Sequence, residues 1–344
     1  MSVEDRKAAG EGRSARRAGR RAWGRDAPDG RSGGPSKSRP RGWVLASAAV
    51  LVAGLTAFPA VVPNTVGNLG SLLETFLPWT GLAVPVLLGL ALLRRSALAA
   101  VSLVLPAVVW AVVFGGRVLP ADRGAAGDLT VLQHNVGEEN PDHEGTALAL
   151  VRAGADLVAL EELTPAVRPV YENALASGHP HRAVAGTVGL WSRYPLTDSR
   201  PVDIRPADVG PDWNRGLRVT ARTPHGDVAV YVAHLPSIRI RPPDGFGSGR
   251  RDESAAKLGA AVASEKLDRV ILLGDLNGTL DDRGLSPLTS RLASTRRGFG
   301  FSWPAALPLA RIDHVMTRTA IPVAAWTLPA TGSDHLPLIA RVDL

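Results

Sequence analysis

The chain has 344 residues, enough for a domain of about 220 residues and a second region beside it. Its formal net charge of +7 is unevenly spread: residues 1 to 42 hold 12 Lys and Arg against 5 Asp and Glu, whereas residues 118 to 344 hold 24 against 26. The distribution excludes a globular part that holds polyanions by general charge, and the absence of cysteine excludes a disulfide framework.

Residues 1–42 are Arg, Gly, Ser and Pro with little to bury, and are expected to form a disordered basic tail. Three apolar runs follow, residues 43–62, 76–93 and 96–116, each about 18 to 21 residues without a charge and long enough to cross a bilayer as helix. Residues 43–116 are therefore expected to hold three transmembrane helices. Lys and Arg are dense in the tail, absent from residues 63–75 and paired at Arg94-Arg95 in the second turn. By the preference of basic loops for the cytoplasm, the tail lies inside and everything beyond Arg117 outside, in a multi-pass protein of the cell membrane. A short linker rich in Pro, Gly and Ala, residues 117–128, leads to a domain at 129–344.

In that domain short apolar runs alternate with helical ones. Strands are expected at 129–133, 156–160, 187–192, 217–222, 227–233, 270–273, 311–316 and 338–342, and helices at 146–153, 165–176 and 253–266. Polar residues gather where these strands end: His134-Asn135, Glu161-Glu162, His234, Asp275 with Asn277, Asp313, and Asp334-His335. The clearest case is VILLGDLNGTL at 270–280, where a buried strand breaks at Gly274 and delivers a carboxylate and a carboxamide two positions apart. A carboxylate can orient a nucleophile or hold a metal, and a carboxamide can donate to a phosphoryl oxygen. Buried strands ending on one edge of a sandwich would bring all of these together. His314, on the other side of its strand from Asp313, is expected to be structural.

The series QHNVG, ALEEL, VAHLPS, GDLNGT, RIDHV and GSDHLPL, in that order, resembles the endonuclease/exonuclease/phosphatase superfamily with its DNase I-like fold, over about residues 129–344. The resemblance implies a four-layer α/β sandwich, here preceded by three membrane helices. It also implies a metal-dependent hydrolase of phosphodiester or phosphomonoester bonds, with magnesium, or manganese in its place. Carried over, Glu162 is the metal ligand, with Asn135 beside it and Asp334 facing the metal. His335 is the general base held by Asp313, Asp275 positions the attacking water or helps the leaving group, and Asn277 with His234 binds the phosphoryl oxygens. Two departures stand out. Glu161 replaces the family's Gln and is expected to add negative charge or cap a helix, and His234 has no clear acidic partner. The implied partners are the membrane and a phosphate ester: nucleic acid, a nucleotide or a phospholipid headgroup. Arg239, Arg241, Arg250 and Arg251 could grip such an anion, and no obligate protein partner is implied. The competing reading is a catalytically inactive extracytoplasmic binding module on the same fold.

Overall fold

The computed structural model describes residues 42–242 and 245–344. Apart from Gly42, the expected basic tail lies outside the described residues. The helical region runs α1 (Trp43–Ala57), α2 (Leu69–Thr75), α3 (Ala83–Leu93), α4 (Ala97–Ser102) and α5 (Val104–Val118), with 3-10 turns at Pro59–Val61 and Leu77–Leu82.

Three uninterrupted membrane helices are not what the apolar runs form. Ala97–Val118 is one helix of 22 residues, apolar and long enough to cross a membrane; Leu69–Thr75 and Leu77–Leu93 qualify only together and are bent by 73°. Trp43–Ala57 is shorter, about 22 Å of helix against about 30 Å of hydrocarbon. The expectation of three is thus corrected to one helix of spanning length, or two if the bent pair is one span. Proline is one cause. Pro59 and Pro78 sit where α1 gives way and where α2 turns toward α3, each removing a helical N–H. Pro85 and Pro106 lie in the first turns of α3 and α5, where no intrahelical donor is lost. Glu74 is the other cause: its carboxylate is bound by Arg283, which holds α2 against the following domain.

That domain runs β1 (Leu129–Asn135), α6 (His143–Ala153), β2 (Leu157–Glu161), α7 (Arg168–Leu175), β3 (His181–Ala185), β4 (Val188–Ser192), β5 (Leu196–Pro201), β6 (Gly216–Thr223) and β7 (Gly226–His234). There follow β8 (Arg239–Arg241), β9 (Gly245–Gly247), α8 (Gly249–Ala263), β10 (Val270–Asp275), α9 (Ser286–Thr289), β11 (Asp313–Arg318), β12 (Ile321–Thr327) and β13 (Leu338–Asp343). One sheet has the order β12-β13-β1-β2-β4-β3 and the other β11-β10-β7-β6-β5, with β8 and β9 as a separate small ribbon.

The side-chain period of a strand sorts these sequences into layers. Leu129 and Val131 of β1, Leu157 and Ala159 of β2, Val230 and Val232 of β7, and Ile271 and Leu273 of β10 share one core between the sheets. The alternate residues face outward. Leu132, Val158 and Trp191 pack under α6 and α7, while Tyr231, Leu272 and Met316 pack under α8 and α9. Helix, sheet, sheet and helix make the expected four layers. Truncating an inner residue such as Leu273 to Ala would cost about 2–5 kcal/mol.

Register then sets the position of the polar ends. β1 and β2 are parallel with Asn135 opposite Glu161, and β7 and β10 are parallel with His234 opposite Asp275. β11 returns antiparallel to β10 and starts with Asp313 opposite Asp275. Both sheets therefore end on the same edge.

Candidate active site

Continuing the inner-facing alternation to the strand ends identifies which polar residues share the space between the sheets. In β1 the column Leu129, Val131 continues to Gln133 and Asn135; in β7 it ends at His234, in β10 at Asp275, and in β11 Val315 leads back to Asp313. All of these polar residues are buried. Gly274 permits the approach of β10 to β7, since a Cβ there would lie 1.9 Å from the Ala233 carbonyl oxygen. His314 falls on the outer side as expected, buried with Nε2 2.8 Å from the Gly278 carbonyl and its pKa lowered by burial to about 3, a neutral structural histidine.

The best-connected pair is His335 and Asp313, with Nδ1 2.8 Å from Oδ2. Gln133 Nε2 donates to the other oxygen of Asp313 at 2.8 Å, crossing from one sheet to the other. Burial opposes ionisation of Asp313, but the adjacent His335 outweighs it and holds the carboxyl at about 2. Burial likewise disfavours the imidazolium of His335, yet Asp313 and Asp275 together raise it to about 10. Its Nε2 points toward Asp275 Oδ2, 3.7 Å away.

Asp275 is pushed up to about 7 by burial, tempered by His335 and by hydrogen bonds. It accepts from the Asn277 backbone N–H (2.9 Å), from Asn135 Nδ2 (3.1 Å) and from Asn277 Nδ2 (3.2 Å). Asn277 does not continue the strand; it sits in the left-handed region at φ 47°, and its amide also donates to the Leu235 carbonyl. With its amide hydrogens reaching Leu235 and Asp275, Asn277 fixes Asp275, and it also lines the cavity in which the expected contact to a phosphoryl oxygen would be made.

His234, buried at the end of β7, has acidic neighbours after all. Its Nε2 lies 3.6 Å from Asp275 Oδ2 and 3.8 Å from Glu162 Oε1. Burial first, then Arg215 and His335, hold its pKa well below the usual histidine range, so the ring is neutral. Glu162 stands just beyond β2 with φ 56°, not at a helix start, and its Oε2 accepts from the Glu138 backbone N–H at 2.9 Å. That turn separates it from Glu161. Glu161 instead continues the inner column, fully buried with Oε2 accepting from Gln133 Nε2 at 2.8 Å. Burial raises its pKa well above the carboxylate range, so it neither adds the expected negative charge nor caps a helix.

Asp334, expected to face the metal, is the most open of the acidic residues at the site. Its side chain is 66% exposed, and its Oδ2 accepts from the indole N–H of Trp303 at 3.2 Å. Asp334 nonetheless lines one cavity with Glu162, Asp275 and His335, its Oδ1 4.0 Å from His335 Nε2, and Asn135 reaches that cavity through Asp275. Among the described residues, Asp275, Asp313 and His335 offer ligand atoms within 4.8 Å of one another. Since Asp313 and His335 already share a hydrogen bond, the better donors for a hard divalent cation are Glu162, Asp275 and the carbonyl of Asn135. Asp275 in particular is a buried carboxylate that shares the His335 imidazolium with Asp313, and a cation beside it would offset the remaining negative charge.

Two participants are given no catalytic role from the sequence, although Gln133 opens the QHNVG series and Arg215 ends a polar loop. Arg215, in the loop before β6, places Nη1 3.2 Å from His234 Nδ1 and 3.4 Å from Nε2, with its guanidinium 5.2 Å from the Trp213 ring. Gln133 passed as an ordinary strand residue. The four arginines of the later loop divide. Arg251 is buried against Asp282 (2.7 Å) and Asp252 (2.6 Å), and Arg250 is paired to Asp208 (2.7 Å). Arg239 and Arg241 line, with Arg215, a cavity of about 580 Å³. That cavity shares Ser237 with one of about 320 Å³ into which Glu162, Asp275 and His335 project.

A family model described as the Endonuclease/Exonuclease/phosphatase family matches residues 132–335. The D. rerio TDP2 structure with a single strand DNA product is similar at 16% identity and a TM-score of 0.52, covering 63% of this chain and 99% of that one. An endonuclease/exonuclease/phosphatase from Bacteroides vulgatus is similar at 15% identity and a TM-score of 0.52, covering 64% and 100%. For a beta toxin from Staphylococcus aureus the figures are 15%, 0.51, 62% and 99%. At these identities the likeness shows the fold. No curated protein matches the chain. The matched segment spans every strand end described above, and the chain belongs to the Endonuclease/Exonuclease/phosphatase family, as a metal-dependent hydrolase of phosphate esters.

Proposed function

We propose that the protein is a membrane-anchored phosphoesterase whose catalytic domain, residues 129–344, works outside the cytoplasm on nucleic acid, nucleotide or phospholipid-headgroup esters. The observation that carries the catalytic part is the convergence of the Asp313–His335 pair, Asp275, His234 and Arg215 on one edge of the sandwich. An inactive binding module has no need of a buried acid–base pair aimed at a second carboxylate.

Glu162, Asp275 and Asn135 would hold the divalent cation, magnesium or manganese, which when bound offsets the charge of the phosphate and of the leaving oxygen. The remaining work falls to the chain's own groups. Asp313 fixes the orientation of the His335 ring and leaves Nε2 facing Asp275 and the cavity, so that His335 exchanges a proton there. Asp275, held by Asn135 and Asn277, orients the attacking water. Neutral His234 and cationic Arg215 present donors to the phosphoryl oxygens, where negative charge grows in the transition state. Arg239 and Arg241 extend the positive surface toward a further anionic group of the substrate.

The test is hydrolysis by the full chain of DNA, RNA, phospholipid and small phosphate esters with magnesium, with manganese and with excess EDTA. Metal-restored turnover of any of these supports the reading. Undiminished turnover in EDTA, or none under any condition, would overturn it.

A further inference from the structure

The wall of the catalytic cavity is not made by the catalytic domain alone. Thr75 and Phe76, from the end of α2 and the turn after it, line the same cavity as Glu162, Asp275 and His335. Their position is fixed by polar contacts to the domain. Glu74 is 3% exposed and takes both the side chain and the backbone N–H of Arg283, at 2.8 and 2.9 Å. Ser71 Oγ donates to Asp282 at 3.1 Å, and the Trp79 indole N–H donates to the Leu309 carbonyl at 2.8 Å. Asp282 is in turn bound to buried Arg251. A helix merely tethered to the domain would not carry such a set.

Opposite the charged floor, this wall is apolar. Phe76 faces the cavity with Ile238, Ile240, Phe246, Trp303 and Ile312. Ile240 is 76% exposed, Trp303 37% and Phe76 36%, an unusual amount of apolar surface to leave open at the mouth of a site built for phosphate. From Phe76 the chain runs directly into the 3-10 turn and α3, whose Leu82, Val86 and Leu92 are also exposed. Exposed apolar residues therefore recur along the chain from the cavity mouth into the helices proposed to sit in lipid.

We propose that the segment around Phe76 builds an apolar subsite, and that the substrate is an amphiphilic phosphate ester: its phosphate lies at His335 and Asp275 and its hydrocarbon portion lies against Phe76 and Ile240. The proposal rests on the phosphoesterase reading above and specifies its substrate. A nucleic acid would place sugar and further phosphates beside the scissile bond; Phe76, Ile240 and Phe246 supply no donor for them, and those phosphates would have to turn into the adjoining cavity lined by Arg215, Arg239 and Arg241. Bilayer lipid is the source that the placement of the helices favours.

The test uses full-length protein held in amphipol, with magnesium, and soluble 4-nitrophenyl alkyl phosphates from methyl to hexyl. With the subsite, kcat/KM rises at least about tenfold along the series, a fraction of what complete burial of five methylenes would give. Phe76→Ala and Ile240→Ser each flatten the rise to under about threefold, while Phe76→Leu retains it; Ile240 is exposed enough that its change does not threaten folding. A second arm gives the wild type phospholipid vesicles or a short-chain phospholipid below its micelle-forming concentration, and hydrolysis in vesicles identifies the bilayer as the source. Metal-dependent turnover without chain-length preference, or a preference that survives both substitutions, overturns the subsite and leaves the phosphoesterase reading standing. Absence of metal-dependent turnover for every ester overturns both.

Discussion

At the scale of single residues, two buried carboxyls a few ångströms from the same glutamine behave oppositely. Gln133 donates to both Asp313 and Glu161. Asp313 has His335 on its other oxygen and is held ionised; Glu161 has no partner on its second oxygen and is held neutral by burial. Their amide variants should therefore part company. Asp313→Asn and His335→Ala are each expected to lower kcat about 100-fold or more, and the double variant little further, because the two residues act as a unit. Glu161→Gln, nearly isosteric with a neutral carboxyl, is expected to stay within about threefold of wild-type kcat and within about 1 kcal/mol of wild-type stability. Steady-state kinetics and thermal unfolding of the four proteins decide it. An additive double variant would separate the pair, and a collapse of activity in Glu161→Gln would mean that the carboxyl is charged in the working enzyme.

At the scale of elements, what was legible in the sequence depended on burial. β1, β2, β4, β6, β7, β10 and β13 are apolar runs closed by polar residues, and the expected segments fall within about two residues of them. β3, β5 and β12 were not foreseen. All three are edge strands, where one side is free of pairing and the sequence turns polar or admits proline, as in Leu196–Pro201 and at Pro322. The site was legible for the same reason, since Asp275, His234 and Asp313 cap buried runs, whereas Arg215 lies in a loop with no periodic pattern. Nor could apolar composition alone reveal that Glu74 has a partner more than 200 residues away.

Side-chain pairing also fastens helix to sheet. Arg218 on β6 forms a salt bridge with Glu265, just past α8, at 2.8 Å, with the two side chains 5% and 4% exposed; Tyr231 of β7 donates to the same carboxylate at 3.0 Å. Burial alone would raise Glu265, but the hydrogen bond from Arg218 and those from the Leu267 backbone and Tyr231 bring it from an ordinary 4.5 down to about 2. Because the folded value lies below the unfolded one, this stabilisation is present in full above about pH 4.5 and is lost as the pH falls toward 2. Glu265→Gln is expected to cost about 3 kcal/mol at pH 7, since it leaves Arg218 buried without its counter-charge. Denaturant unfolding at pH 7 and pH 3 measures both, and the gap between wild type and variant should shrink at the lower pH. An unchanged gap would assign the cost to packing.

At the scale of the whole molecule, the helical region has two distinct ends. Thr56, near the end of α1, donates to Thr80 beside the catalytic domain, and Arg117 at the end of α5 binds Asp281. At the opposite end Gly42, before α1, packs against Ser96, next to Arg94-Arg95. Three rods therefore run alongside one another, α1 and α4–α5 toward the catalytic domain and α3 with its preceding turn away from it. If Ala97–Val118 crosses a bilayer, Arg94-Arg95 before it lie on one side and the catalytic domain after it on the other. Basic residues favour the cytoplasmic side, and on that ground the domain is proposed to lie outside. An alkaline phosphatase reporter joined after Leu344 is expected to be active and a cytoplasm-dependent reporter at the same place silent. Replacing Arg94 and Arg95 by Gln should weaken this asymmetry without abolishing it, since the tail keeps its own charge. The reverse reporter pattern would show that the rods lie on the bilayer surface or cross an even number of times, and would place the phosphate esters that reach the cavity on the cytoplasmic side.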